Sequence, residues 1–408
     1  MKRLLQILFG SFLFIFPFSI RFLVYDQNSY RFGNFNPWVS GFVYLPELLL
    51  LATFALWAIH KFKAKESVPF RNTTLWILFG LFAANGFLVT VANGDPVLAA
   101  FFILRLFEGL VIFWLLADKI LTAHRAITVL LLGAFLQIVW GYAQWKLNHS
   151  LGLSLLGESH LGPNVLGVAK IDLPDGLKQI RAYGSFLHAN ILAAYLLIIG
   201  FIGLRYLRRK SALLWVTLFV LGLYFAHSRA VALVGVGGFV LYYLFLKFKA
   251  LPFQKSVVLA LGSFLVVANL WFFMNHSLVK FNDSSWKERL EQIGISETLF
   301  KQTPSGVGVS NFTLAMETAS PRKLSPWEFQ PVHNTYFLIL GETGFQGLMF
   351  MALFLSLLFW RAWKHANPVP LLSLIFLAPL DHYLWDSFAG LVLVALVAGF
   401  FQLENEAK

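Results

Sequence analysis

Val332-His333-Asn334-Thr335-Tyr336-Phe337 runs on to Gly341-Glu342-Thr343-Gly344-Phe345-Gln346-Gly347-Leu348, and here a polar loop gives way to a long apolar helix. His333 is therefore expected where water meets membrane. At roughly 100° per residue, Gly341, Gly344 and Gly347 share one stripe of a continuous helix, close to the direction of His333, while Glu342 points the opposite way. Small residues so spaced let a neighbouring helix approach closely. An imidazole with an unperturbed pKa of about 6.5 is a candidate base. The simpler alternative is an interfacial histidine that only caps the helix.

The rest of the chain decides what kind of helix this is. Of 408 residues, 58% are hydrophobic, 17% aromatic and only 13% charged, against roughly a quarter charged in soluble chains. The apolar residues come in runs long enough to cross a bilayer, which takes about 20 residues each. The expected fold class is all-α, a polytopic membrane helical bundle of about twelve transmembrane helices. The formal net charge of +12 sits in short loops between apolar runs, as the positive-inside rule expects. It forms no basic stripe interleaved with aromatics, so no nucleic-acid partner is expected. Cysteine is absent, which excludes disulfides, thiolate catalysis and Cys-based metal sites.

The expected spans start with Leu4 to Ile20, followed by an outside segment from Arg21 to Val43. Tyr44 to Ile59, Thr74 to Val91 and Val97 to Leu116 come next, with Asn93-Gly94-Asp95-Pro96 as a turn. Ile127 to Trp145 opens into an outside loop from Lys146 to Tyr183. The sixth span enters through Gly184-Ser185-Phe186-Leu187-His188-Ala189-Asn190. Spans seven and eight form a hairpin about His227-Ser228-Arg229-Ala230, and the ninth ends near Met274. A long outside segment, 275–333, leads to the tenth span, and a last hairpin carries Asp381, His382 and Asp386 at its outside end. Both termini are expected in the cytoplasm. Three regions result: N-terminal spans 1–183, a central region 184–348 and C-terminal spans 349–408.

Within the long segment, Ser285-Trp286-Lys287-Glu288 fits a capping box. The helix it announces puts Trp286, Leu290 and Ile293 on one face with Arg289 at its edge. The Pro304 to Phe312 turn is rich in glycine but lacks phosphate-loop spacing. Arg229, in a four-residue turn, presents a planar fork that suits a diphosphate or a phospholipid phosphate. Arg105 and Glu108, at i and i+3, share one helical face inside the fourth span; a structural ion pair is the expected role. No metal is expected from sequence spacing, since neither a His-Glu-x-x-His pair nor an Asp-x-Asp cluster is present in an outside loop.

These pieces, in order, resemble the bacterial O-antigen ligase and polymerase family of membrane glycosyltransferases. The matching stretches are Gly184 to Asn190 with Ala193-Ala194-Tyr195, then His227-Ser228-Arg229-Ala230, Arg289, the Gly-x-Gly turn from Pro304 to Phe312, and His333-Asn334-Thr335-Tyr336 with Glu342, Gly344 and Gly347. The resemblance covers roughly Tyr183 to Leu348; the first five spans carry no family mark. It implies a C-type glycosyltransferase-like bundle with a helical periplasmic loop, in the bacterial inner membrane with its active site on the periplasmic side. The implied donor is an undecaprenyl-diphosphate-linked glycan, and the acceptor is lipid A-core or another glycan. By motif, Arg229, Arg289 and His333 correspond to the family's catalytic residues. His188, Asn190, Ser228, Asn334, Tyr336 and the outside Arg181 are expected to bind substrate, with membrane lipids around them and neither cofactor nor metal required. Asn190 stands where the family's wording differs, which leaves its role open. The competing reading from another class is a secondary transporter, which keeps charged residues near the midplane; here the candidate residues gather at one face.

Overall fold

The computed structural model describes residues 1–67, 73–173, 175–204, 206–207, 209–248, 284–365, 367–405. The expected ninth span, and the part of the outside segment before residue 284, lie outside the described residues. The chain is a helical membrane protein. Among the described residues, five helices are long and apolar enough to cross a membrane, and five more apolar helices are shorter.

The chain opens with α1 (Lys2–Ile15), which ends earlier than the expected Ile20. Pro17 accounts for the difference, because it has no N–H to continue the ladder beyond Phe16, which is still in helical backbone. At 1.5 Å per residue those 14 residues reach roughly 21 Å, short of a hydrocarbon core of about 30 Å. Next come α2 (Leu45–Ala64), α3 (Thr73–Asn93), α4 (Pro96–Ala117) and α5 (Ala123–Leu147). The turn between α3 and α4 lies at the expected Asn93-Gly94-Asp95-Pro96, where the Asp95 side chain accepts from Val97 N at 2.9 Å and caps α4. The remaining helices are α6 (Ala189–Leu204), α7 (Arg209–Ala226), α8 (Arg229–Phe248), α9 (Ser284–Gln302), α10 (Phe312–Ala319), α11 (Thr335–His365), α12 (Val369–Leu377), α13 (Tyr383–Asp386) and α14 (Phe388–Asn405). The expected eleventh span is therefore only nine residues long as a regular helix. A 3-10 turn at Ala378–Leu380 and the extended Asp381 end it.

The all-α expectation needs one correction. Antiparallel strands β1 (Arg21–Tyr25) and β4 (Gly41–Tyr44) pair Arg21 with Tyr44. Between them β2 (Tyr30–Arg31) and β3 (Asn34–Phe35) form a tight hairpin. Its two-residue loop places Phe32 at φ 47° and Gly33 at φ 77°, the paired positive values a type I′ turn demands. A third pair joins β5 (Lys170–Asp172) to β6 (Lys178–Ile180). Asn36 Nδ2 donates to Phe329 O at 3.0 Å, tying the first hairpin to the segment before α11.

The helix that opened the sequence reading is not continuous. Gly344 breaks α11 with φ 68° and ψ −174°, and the three glycines do not serve one neighbouring helix. Instead the Pro304 to Phe312 turn wedges against the break. Val307 N donates to Gly341 O and Gly308 N to Glu342 O, each at 2.9 Å, so carbonyls freed by the break are satisfied from outside the helix. A Cβ on Gly306 would lie 2.4 Å from Glu342 O, and one on Gly344 2.4 Å from Pro304 O. The Gly-x-Gly turn is thus spent on this wedge and does not form an anion cradle. Glu342, buried below, accepts from Trp385 Nε1 at 2.7 Å.

The core sits where α6 is enclosed by α5, α7 and α14, with α14 also packed along α4 and α11 along α3. A second cluster, from Phe82 and Phe102 through Ile293, Leu299 and Phe312 to Leu338 and Trp385, holds α9 and α10 onto α11. The buried face of α9 carries Gln292, Ile293, Ile295, Ser296 and Leu299, a register rotated from the expected Trp286-Leu290-Ile293 face. Ser296 Oγ donates to Phe337 O at 2.7 Å. The helix starts at Ser284, which puts the expected cap Ser285 inside it. Across the bundle, Arg105 is bound to Glu47 and, at 3.1 Å, to Glu108, and it donates to Phe42 O at 2.7 Å. The ion pair expected between Arg105 and Glu108 is seen here, with Glu47 as a partner the sequence did not indicate. Removing one partner from such a buried group typically costs about 3–5 kcal/mol, because a charge is left uncompensated.

Candidate active site

The segment Gly184 to Asn190 is fixed by two glutamines on α5. Gln144 Oε1 accepts from Tyr183 N at 3.0 Å and from Gly184 N at 2.8 Å, and Gln137 Oε1 accepts from Ser185 N at 2.8 Å. Gly184 is at φ 59°, and a Cβ there would sit 2.3 Å from Gln137 Oε1, so glycine is required at this position. The segment delivers Asn190 to the centre of a hydrogen-bonded chain. Its Oδ1 accepts from Arg181 Nη2 at 2.5 Å and from Ser228 Oγ at 3.0 Å, and its Nδ2 donates to Asp381 Oδ2 at 2.7 Å. Its backbone N–H donates to His188 Nδ1 at 3.2 Å. Asn190, whose role the motif left open, joins Arg181, Ser228, His188 and Asp381.

Asp381 is buried in the link between α12 and α13, and its other oxygen faces the imidazoles. Oδ1 lies 3.2 Å from His333 Nδ1 and accepts from His382 N at 2.9 Å. Thr335 clamps the same residue's backbone, its N and Oγ1 reaching Asp381 O at 3.2 and 2.8 Å. Burial alone would push the Asp381 carboxyl up. The hydrogen bond to His333, together with the neighbouring imidazoles of His382 and His188, outweighs it and holds the group well below the usual carboxylate range. An ionised carboxylate only accepts, so the proton of neutral His333 lies on Nδ1 and Nε2 keeps its lone pair. Desolvation draws His188 down to about 4. It is therefore neutral at pH 7, which agrees with its Nδ1 accepting from Asn190.

His333 stands just before α11, but it is not the cap. Asn334 Oδ1 accepts from Tyr336 N at 3.0 Å and Phe337 N at 3.2 Å, so the buried Asn334 caps the helix. The His333 ring is left for other work, with its backbone N–H donating to Gln292 Oε1 on α9 at 3.2 Å. The Tyr336 hydroxyl donates to Ile375 O at 3.0 Å.

Two of the three candidate arginines are anchored beside this network. Arg181 Nε donates to Ala226 O at 2.7 Å, and Arg289 Nη1 donates to Leu380 O at 2.7 Å. Arg229 is exposed at the first residue of α8. Burial pulls the Arg181 guanidinium below its ordinary value. Tyr183 and Asp381 oppose that shift and Arg229 and Arg289 reinforce it, so these charges act on one another. A cavity of about 530 Å³ opens at the imidazoles and is lined by His188, His333, Asp381, His382, Gln330 and Trp38, among others. Arg21 and Arg105 also line it, and Arg21 is held 4.0 Å from the ring centre of Phe42. Beneath lies an apolar cavity of about 150 Å³ between α3, α4, α11, α12 and α14, to which Thr335 and Tyr336 contribute. Arg105, Trp385 and Leu391 line both.

Sequence reasoning missed the partnership of His333 with Asp381, which is 48 residues away. Only the placement of Asp381, His382 and Asp386 at the outside end of the last hairpin pointed toward it. The contributions of Trp38, Gln330 and Gln292 had no sequence signal.

Residues 216–352 match the sequence profile of a family described as O-antigen ligase. The match spans His227 to Ala230, Arg289, the Pro304 to Phe312 turn and His333 to Leu348, and it bears out the resemblance to the O-antigen ligase and polymerase family. A comparison with curated proteins finds no match.

Proposed function

We propose that the chain transfers a glycan from undecaprenyl diphosphate to a hydroxyl of lipid A-core or a related acceptor, at the periplasmic face of the bacterial inner membrane. The observation that carries this reading is the His333 ring held through Nδ1 on a buried, ionised Asp381 at the wall of the 530 Å³ cavity. In this reading the acceptor hydroxyl gives its proton to His333 Nε2 as its oxygen bonds to the anomeric carbon. The bond from that carbon to the diphosphate breaks, and its electron pair leaves on undecaprenyl diphosphate. One displacement inverts the anomeric centre. Negative charge building on the leaving oxygen is stabilised by fixed cations, Arg229 and Arg289, in place of a metal. Arg181, Asn190 and Ser228 keep Asp381 and the arginine side in register. The first isoprene units of the carrier lie in the apolar cavity beneath, which meets the polar one at Arg105 and Trp385. With a second carrier-linked glycan as acceptor the same chemistry is a polymerase, and products formed from donor alone distinguish the two.

The arginines supply the test. Lysine keeps the charge but not the planar fork. Arg229→Lys and Arg289→Lys are each expected to lower transfer about 10²-fold, as loss of one donor to a developing oxyanion does. The readout is product formed by purified protein from lipid-linked donor and acceptor. Parent rates in both variants would remove the arginines from the leaving-group site.

A further inference from the structure

We propose that His333, Asp381 and His382 form a site for one divalent transition cation of the zinc type, and that its occupancy switches off the base. One donor atom from each of the three side chains lies within 4.8 Å of the other two. His333 Nδ1 and His382 Nε2 stand 3.2 and 3.7 Å from the same oxygen, Asp381 Oδ1. A tetrahedral ion with bonds of about 2.1 Å spaces its ligands roughly 3.4 Å apart, so small rotations complete the set. Two imidazoles and one carboxylate suit zinc and its neighbours, whereas magnesium and calcium call for oxygen ligands.

The surroundings orient this set. The second nitrogen of His382, Nδ1, lies 2.7 Å from Asp386 Oδ2, the carboxylate–imidazole pairing that fixes a ligating histidine. The second oxygen of Asp381 is held by Asn190. All three ligands line the polar cavity, which leaves a fourth position open to water or a substrate oxygen. The positive charges of Arg181, Arg229 and Arg289 oppose a further cation. That opposition makes occupancy weaker and more reversible than in a closed structural zinc site.

Binding has a chemical consequence at His333. Without the ion, the ring proton lies on Nδ1 against Asp381. An ion on Nδ1 requires that nitrogen's lone pair, so the proton of the neutral ring moves to Nε2, and Nε2 no longer accepts the acceptor's proton. This second half rests on the role proposed for His333; the binding half does not.

The test is a cobalt titration of the purified full chain, in which visible absorption reports the ion's coordination. One equivalent is expected to give a tetrahedral-type band that zinc displaces. His382→Ala should abolish the band, and Asp386→Asn should weaken binding about 10- to 100-fold, with thermal unfolding of the ion-free variants controlling for folding. Zinc at saturation should stop transfer by the parent chain, and chelator should restore it. Absence of the band, or a band that persists unweakened in both variants, would rule out the site. A saturated band with undiminished transfer would rule out the withdrawal of the base. Because the band is read without substrate, failure of the site and failure of the proposed activity are separate results.

Discussion

His333→Ala is expected to lower glycan transfer by about 10²- to 10⁴-fold, the range a positioned general base contributes, while the protein still inserts and folds. Folding should survive for two structural reasons. The ring is partly exposed at the cavity wall, with 22% of the side chain accessible, and the cap of α11 is supplied by Asn334. What the variant loses is the Nε2 lone pair beside the acceptor. Added imidazole, small enough for a cavity of about 530 Å³, should restore part of the rate. Transfer at the parent rate without imidazole would reduce His333 to an interfacial residue with no part in the chemistry.

Asp381→Asn should be nearly as severe, although it changes one atom and lies a residue away from any proton in flight. Oδ1 of Asp381 accepts from His382 N and faces His333 Nδ1, while Oδ2 accepts from Asn190 Nδ2. An amide at this position must place an NH₂ on one side. Toward Asn190 it meets a donor that cannot turn over, because Asn190 Oδ1 already accepts from Arg181 and Ser228. Toward the imidazole it meets His382 N–H and forces the His333 proton from Nδ1 to Nε2. Loss of about 10²- to 10⁴-fold in kcat is expected, since a base in the wrong tautomer is no base. The unpaired donor should also destabilise the fold by about 1–3 kcal/mol. A steady-state assay with a thermal unfolding curve separates the two effects. A kcat equal to that of the parent chain would mean that Asp381 does not set the His333 tautomer.

These two residues mark the limit of what the sequence made legible. Hydrophobic runs bounded by Asn-Gly-Asp-Pro placed α3 and α4 within two residues of their observed ends, since turn chemistry and a capping Asp95 are local signals. The start of α11 was equally local, a polar loop meeting an apolar run at His333. The break at Gly344 was not legible, because a helical stripe of glycines reads the same whether a helix or a loop packs on it. What decides the matter is the backbone of Val307 and Gly308 arriving from 34 residues away or more. The rotation of α9 has a similar origin, its buried face being set by α11 rather than by its own strongest apolar residues. For the site, the motif residues His188, Asn190 and Ser228, and the loop residue Arg181, were named in advance, and the structure joins them in one network. Asp381, which links that network to His333, sits beyond the motifs in a hairpin that carries no pattern of its own.

The central claim is a single displacement at an anomeric carbon by an acceptor that His333 deprotonates, with undecaprenyl diphosphate as leaving group. The most direct measurement incubates purified protein with lipid-linked glycan and core acceptor in excess chelator, and follows both products. The account predicts one undecaprenyl diphosphate released for each glycosidic bond formed, with the configuration at that carbon inverted. Bond formation without release, retained configuration, or transfer that returns only when magnesium or manganese is added would contradict it.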